Sequence, residues 1–168
     1  MRKLDIKEIL VPALSLFLIC AAVAGALALV NSVTAESIAA GALREADDAR
    51  QVMFPGSAFE DRGNCFIAKK DGAPIGYCVD SEAQGYGGLI KISVGLDLRG
   101  TIVAVQVIAC DGETPGLGQK VKEESFLGQF TGGKDAVTVD SITGATISSR
   151  AVEQAINEAL RIYREVAS

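Results

Sequence analysis

Between Ile9 and Val30 the chain carries no charged side chain, a run of roughly 22 residues against the ~20 that a helix needs to cross a bilayer. This pattern predicts a single transmembrane helix over about 9–30, within an anchor of residues 1–33. Secretory h-regions run to only ~7–15 residues, which favours a retained anchor, although Val33-Thr34-Ala35 also fits a signal-cleavage site. Pro12 lies in the first turns of the run, where a missing N–H is harmless. Arg2, Lys3 and Lys7 precede the span and no Lys or Arg follows it before Arg44. The positive-inside rule then sets the N-terminus in the cytoplasm and the remainder outside it. Over 34–55 the period changes to that of an amphipathic helix. Ile38, Ala42, Ala46, Ala49 and Met53 share one face, with Glu36, Arg44, Glu45, Asp47, Asp48 and Arg50 mostly elsewhere. This reads as a solvated juxtamembrane helix, stopped by Pro55-Gly56 ahead of an extracytoplasmic domain at 56–168.

From Cys65 the apolar positions fall into short runs separated by turn residues. Cys65–Lys70 and Ala73–Val79 flank Asp71-Gly72, a strong two-residue hairpin signal. Closing that turn with Lys70 opposite Ala73 sets Cys65 opposite Cys78. The pairing permits a cross-strand disulfide outside the cytoplasm, but free Cys is commonly core material, and two buried free thiols are the favoured reading. Gly85-Tyr86-Gly87-Gly88 is read as a flexible break before Leu89–Asp97. Arg99-Gly100 then turns the chain into Thr101–Ile108, which extends an antiparallel meander. Asp111–Gly118 is too rich in Gly and Pro for a helix or strand. A short helix follows over 119–130 with Val121, Phe126 and Leu127 inward. Ala136-Val137-Thr138-Val139 has the β-branched character of a buried strand. The last helix follows, with Val152, Ala155, Ile156, Ala159, Leu160, Tyr163 and Val166 at helical spacing. The expected fold class is α+β, an antiparallel sheet with flanking helices behind an N-terminal anchor.

Composition narrows the chemistry. The chain has no histidine, which removes imidazole metal sites and His-based catalysis. Its net charge is −5 without a Lys/Arg cluster, so no nucleic-acid partner is expected. Cys20, Cys65, Cys78 and Cys110 form no Cys-x-x-Cys pair, and no metal site is expected. Cys20 is read as a small apolar residue of the anchor.

Candidate chemistry gathers in Asp140-Ser141-Ile142-Thr143-Gly144-Ala145-Thr146, a small-residue turn at the start of the last helix. A helix N-terminus presents unpaired N–H groups and partial positive charge, which suits a phosphate. Gly144 and Ala145 let such an anion approach the backbone. A threonine hydroxyl there is a candidate for holding phosphate covalently. The same residues also read as a simple cap, with Thr143, Ser148 or Ser149 closing the first turn.

Taken with Glu113-Thr114-Pro115-Gly116-Leu117-Gly118, this motif resembles the FMN-binding domain of membrane redox complexes. The resemblance is to the G subunit of the Rnf electron-transport complex and to its relative, the C subunit of the sodium-pumping NADH:quinone reductase. It extends over nearly the whole chain, through the anchor, the Gly-Tyr-Gly-Gly loop and the closing helix. It implies FMN attached through a phosphoester to Thr146, installed by a flavin transferase that uses FAD and magnesium and reads Asp140, Thr143, Gly144 and Ala145. It further implies that Glu113, Thr114, Gly116, Leu117 and Gly118 approach the isoalloxazine ring. The implied function is electron transfer within an ion-translocating oxidoreductase complex, ferredoxin:NAD linked, among other membrane subunits and lipid. The compact length favours the Rnf-type subunit over the quinone-reductase one. No independent active site is implied: no Gly-x-Gly-x-x-Gly follows a strand, and no acid/base pair stands out. One departure is Asp111-Gly112, where relatives often carry His or another polar residue. An anchored regulatory FMN module, ordinarily joined to further domains, and a binding module without flavin are the competing functions.

Overall fold

The computed structural model describes residues 6–167, which fall into two units, Met1–Gly41 and Ala42–Ser168. Helix α1, Ile6–Met53, runs from the first into the second. Every side chain from Leu10 to Ile38 is exposed, and by length and composition this helix is apolar enough to cross a membrane. Ser15, Ser32 and Thr34 turn their hydroxyls back onto the carbonyls of Val11, Leu29 and Val30. Short polar side chains in helices commonly satisfy themselves in this way.

The second unit holds a five-stranded antiparallel meander in the order β1-β2-β3-β4-β5. The strands are β1 (Ala58–Asp61), β2 (Cys65–Lys70), β3 (Ala73–Gln84), β4 (Leu89–Asp97) and β5 (Ile102–Ala109). A 3-10 turn at Gly118–Lys122, a short helix α2 (Glu124–Leu127) and a second 3-10 turn at Gly128–Phe130 follow. The chain closes with α3 (Thr146–Ala167). Strand β1 is absent from the sequence reading. It is a short edge strand whose Glu60 pairs with Lys69 and Arg62, and such charges blunt an edge against further pairing.

Side-chain alternation divides the sheet into two faces. On one, Val79, Ile90, Ile92, Val94 and Leu96 meet Val152, Ala155, Ile156, Ala159 and Leu160 of α3, all of them buried. Each large aliphatic side chain among them contributes about 1.5–3 kcal/mol on burial. Ser81 lies on this face and donates to the carbonyl of Ala155 (2.8 Å), so its hydroxyl is partnered within an apolar layer. Where one short helix was expected over 119–130, the chain makes the two 3-10 turns around α2, because Glu123 is extended and breaks the helix. Val121, Phe126 and Leu127 still point inward, joined by Phe130.

The other face is more polar. Gly76 and Gly95 leave room for Phe54 and Met53: a Cβ on Gly76 would stand 2.6 Å from the Phe54 ring, and one on Gly95 3.0 Å from the Met53 sulfur. Between these apolar contacts sits Arg50, buried although its helix was read as solvated. Its guanidinium pairs with Asp80 and Asp47 and lies over the Phe66 ring at 3.6 Å. Asp80 also accepts from the Ser93 hydroxyl (2.7 Å).

Cys65 and Cys78 are both free and buried, the favoured of the two readings, while the hairpin register and the strand at 136–139 are corrected. The hairpin does close with Lys70 opposite Ala73, but a bulge beside Pro74 inserts Ile75 as an extra residue, so Cys65 pairs with Val79 and Cys78 with Phe66. One residue of slip sends a side chain to the opposite face. Cys65 therefore joins the α3-side core, and burial pushes the Cys78 thiol up to about 12 on the other side, with the Arg50 charge opposing it. Residues 136–139 form no strand. Instead the Asn157 side chain takes both backbone groups of Val137, accepting its N–H (2.9 Å) and donating to its carbonyl (3.0 Å). A helix amide stands in for a neighbouring strand.

Asn157→Ala leaves both groups of the buried Val137 without that partner and is expected to cost about 2 kcal/mol, read as a lower urea midpoint at unchanged slope. A pH-dependent case is Asp97, whose carboxylate accepts the backbone N–H groups of Thr101 and Arg99, both at 2.8 Å. The Thr101 bond, chiefly, holds this carboxyl below its usual range. A depressed folded-state pKa contributes stability that is present above the unfolded value of ~3.9 and lost as pH falls through the folded one. Asp97→Ala is therefore expected to melt below the parent at neutral pH, with the gap closing below about pH 4.

Candidate functional site

Two Gly-containing turns build the site. Thr114-Pro115-Gly116-Leu117 closes through the Leu117 N–H to the Thr114 carbonyl (3.2 Å), with Gly116 at φ +73°. Ile142-Thr143-Gly144-Ala145 closes in the same way, Ala145 to Ile142 (2.9 Å), with Gly144 at φ +82°. A left-handed residue at the third position is what a type II turn requires, and glycine adopts it without strain. The turns touch: a Cβ on Gly144 would stand 3.2 Å from Leu117 Cδ1.

The second turn leads directly into α3. Ser149 fastens it from inside, accepting the Ile142 N–H (3.0 Å) and donating to the Ala145 carbonyl (3.0 Å). Ser148 donates to the Glu113 carboxylate. The hydroxyl work expected of a cap is therefore done by Ser149, while Thr146 is exposed and its hydroxyl has no partner among the described residues. The N–H groups of Thr146, Ile147 and Ser148 precede the first hydrogen bond of the helix, made by Ser149 to Ala145. They present an anion-binding end.

A third stretch completes the wall. Gly85-Tyr86-Gly87-Gly88 is held shut by the Gly85 N–H to the Gly88 carbonyl (2.8 Å). A Cβ on Gly87 would stand 1.7 Å from the Gly112 carbonyl oxygen, and one on Gly112 2.7 Å from that of Gly87. These glycines serve backbone-to-backbone packing where a flexible break was expected. Glu113 locks the arrangement. Only 2% exposed, it accepts the Gly87 N–H (3.1 Å) through Oε1 and the Ser148 hydroxyl through Oε2. Gly118 and Gly85 lie so close to this carboxylate that a Cβ on either would meet it, at 2.7 and 2.3 Å.

Together these stretches surround a cleft of about 470 Å³ lined by Tyr86, Thr114, Leu117, Gly118, Gly144, Ala145, Thr146, Ile147 and Ser148. Of the residues singled out from sequence, Thr114, Leu117, Gly118, Gly144, Ala145 and Thr146 line it. Gly116 and Thr143 shape the turns, and Glu113 lies behind the wall as its brace. Asp140 stands apart. Its N–H donates to the Gln129 side chain (3.1 Å), and it borders a separate hollow of about 240 Å³ with Lys120, Glu123 and Ser125. Tyr86, Ile147 and Ser148 are additional to the sequence reading. The helical register from Thr146 signals the last two, whereas Tyr86 depends on contacts with a loop distant in sequence.

The cleft suits a flavin mononucleotide. Its volume falls within the ~300–1,000 Å³ usual for small-molecule sites. The N-terminus of α3 opens on the cleft and suits a phosphate, and Leu117, Ile147 and Tyr86 offer apolar surface that suits a planar ring. Glu113→Ala removes the bonds to Gly87 and Ser148 together and is expected to cost about 2–3 kcal/mol in denaturant unfolding. Glu113→Gln can still accept from one of these partners through its amide oxygen and meet the Ser148 hydroxyl through its amide NH₂, and should recover most of the loss.

Comparison with known proteins agrees with this chemistry. Residues 85–161 match the FMN-binding domain family, a stretch that contains all three loops and most of α3. The chain is 37% identical over 106 residues to the G subunit of the proton-translocating ferredoxin:NAD(+) oxidoreductase complex of Clostridium ljungdahlii, covering 56% of this chain and 57% of that protein. To the G subunit of the Na(+)-translocating ferredoxin:NAD(+) oxidoreductase complex of Acetobacterium woodii it is 29% identical over 199 aligned positions, covering 98% of this chain and 96% of that one. Among solved structures, the C subunit of the Na(+)-translocating NADH-quinone reductase of Parabacteroides distasonis superposes with a TM-score of 0.54 at 26% identity, over 62% of each chain. The resemblance read from the two loops therefore holds, and the mixed helix and antiparallel-sheet fold is shared with that protein.

Proposed function

We propose that this chain is the FMN-carrying electron-transfer subunit of an Rnf-type, ferredoxin:NAD-linked, ion-translocating oxidoreductase complex, with FMN held by a phosphoester on Thr146. The observation that carries the attachment is the division of labour at the start of α3. Ser149 closes the turn and Ser148 is tied to Glu113, while the Thr146 hydroxyl stands exposed in the cleft beside unpaired helix N–H groups. In the attachment, Thr146 Oγ1 forms a bond to the FMN-side phosphorus of FAD, AMP leaves, and the hydroxyl proton is released. The N–H groups of residues 146–148 would receive the phosphate charge, and Gly144 and Ala145 leave the approach open. Thr114, Leu117 and Gly118 would lie along the ring, with Glu113 and Gly116 shaping their loop. Asp140 and Thr143 would be read by the flavin transferase during maturation.

When bound, FMN supplies reversible uptake and release of electrons at its isoalloxazine ring. The protein's part is to fix the tail and exclude nothing that a redox partner needs to approach. Among the described residues α1 is the one helix able to cross a membrane, and its apolar run carries no charge. An ion path therefore falls to other, multi-spanning subunits. We read residues 1–33 as a retained single-pass anchor with its N-terminus cytoplasmic, 34–55 as the connector and 56–168 as the extracytoplasmic flavin domain. The Rnf-type reading is preferred to the quinone-reductase one because the Acetobacterium protein aligns over 98% of this chain.

Intact mass of the full chain, co-expressed with a flavin transferase, tests both parts. The expected mass is that of the chain from its first residues plus one FMN less one water. Thr146→Ala is expected to lose the adduct and Thr146→Ser to keep it. A wild-type chain without the adduct, beside a control substrate that is flavinylated, overturns the attachment. A mass shortened by the first ~33 residues replaces the anchor with a cleaved signal.

A further inference from the structure

We infer that Tyr86 is the aromatic platform on which the isoalloxazine ring rests, a positioning residue for the flavin; the inference builds on the FMN reading above. Tyr86 is 70% exposed and lines the cleft with Leu117 and Thr146. The other two tyrosines of the chain are consumed by the fold. Tyr77 and Tyr163 pack edge to face at 5.1 Å, and the Tyr163 hydroxyl donates to the Leu98 carbonyl (3.3 Å). Tyr86 has no ring partner among the described residues.

A large aromatic left exposed is ordinary on a mobile loop, but this loop is built for fixed position. Gly85 and Gly88 close it, Gly87 is wedged against Gly112, and Glu113 receives the Gly87 N–H. With glycine on either side, Tyr86 is the single side chain the loop presents. The same Glu113 carboxylate binds Ser148 in the first turn of α3. One buried group thus sets the tyrosine loop and the Thr146 helix end in a common frame. A cofactor tethered by its tail at Thr146 would find a firmly held aromatic face in the cleft its own ring occupies. Aromatic faces stack on planar heterocycles without needing a matched hydrogen-bond pattern, and tyrosine supplies such a face with few rotatable bonds.

The test uses the full chain, flavinylated and verified by intact mass, and compares flavin emission in the folded protein with emission after denaturation. A stacked phenol quenches flavin emission, so the wild-type ratio of folded to denatured emission should be low. Tyr86→Leu should raise that ratio severalfold at unchanged FMN mass and unchanged melting temperature, and weaken the visible circular dichroism of the flavin. Tyr86→Phe should retain the dichroism because the ring remains. A fully loaded Tyr86→Leu protein with wild-type emission ratio and dichroism overturns the inference while leaving the covalent carrier intact. An unloaded wild-type chain, by contrast, removes the carrier reading and the platform with it.

Discussion

The carboxylate of Glu113 is the constraint on which the cleft depends. A carboxylate on a residue with 2% of its surface exposed is costly to bury unless hydrogen bonds replace its water. Here the Gly87 N–H and the Ser148 hydroxyl do so. Those two donors belong to segments 61 residues apart (148 − 87), which the sheet alone does not bring into register. Satisfying one buried charge therefore specifies where the glycine loop, the Pro-Gly turn and the start of α3 stand relative to one another. The crowding around it follows from the same demand. Gly85, Gly118, Gly87 and Gly112 lack side chains where a Cβ would strike the carboxylate or a neighbouring backbone, so the acid is enclosed without an apolar residue forced against it.

The local signals of the fold were legible because they act over a few residues. Asp71-Gly72 closes its hairpin with both residues at positive φ, and the alternation of Leu89–Asp97 reproduces the observed strand. The two functional turns were equally plain, since Pro-Gly and Thr-Gly-Ala state their own backbone geometry. What escaped depends on partners distant in sequence. The register that set Cys65 opposite Cys78 failed on the extra residue at Ile75, a bulge that shifts the pairing beyond it by one. Val137 looks like strand core and is buried as one, but its ladder is supplied by the Asn157 amide, which no periodicity in 136–139 announces. Arg50 read as surface because its helix position is polar. Its burial becomes tolerable only through Asp80 and Asp47 and the Phe66 face, from strands β3 and β2 and its own helix.

The same distinction separates the two halves of the site. Thr146 announces itself by standing at a glycine-led helix start, and the structure adds the reason it differs from its neighbours. Ser148 and Ser149, equally suited to capping by type, are already committed to Glu113 and to the Ile142–Ala145 turn. Tyr86 carries no comparable signature. Flanked by glycines, it reads as a residue in a loose connection until Gly112 and Glu113 are seen to pin that connection. Side-chain identity marked Thr146 as the candidate hydroxyl, whereas only tertiary contact could show that the tyrosine loop is held still.

An open cleft and a covalent tail belong together physically. A cofactor bound by contacts alone must offset the lost translational and rotational freedom of association, about 4–15 kcal/mol, and sites that do so usually enclose most of the ligand. This cleft leaves Thr146, Ile147 and Tyr86 exposed along its wall, an arrangement poorly suited to retaining a freely exchanging flavin. The phosphoester proposed on Thr146 would lower that cost, because the ring would be present at the high effective concentration of a short tether. The walls need only orient the ring, and they can leave an edge of it uncovered for a redox partner. The rigidity invested in Glu113 and its glycines would then have a purpose beyond stability, since a tethered ring of fixed orientation would keep one distance to that partner.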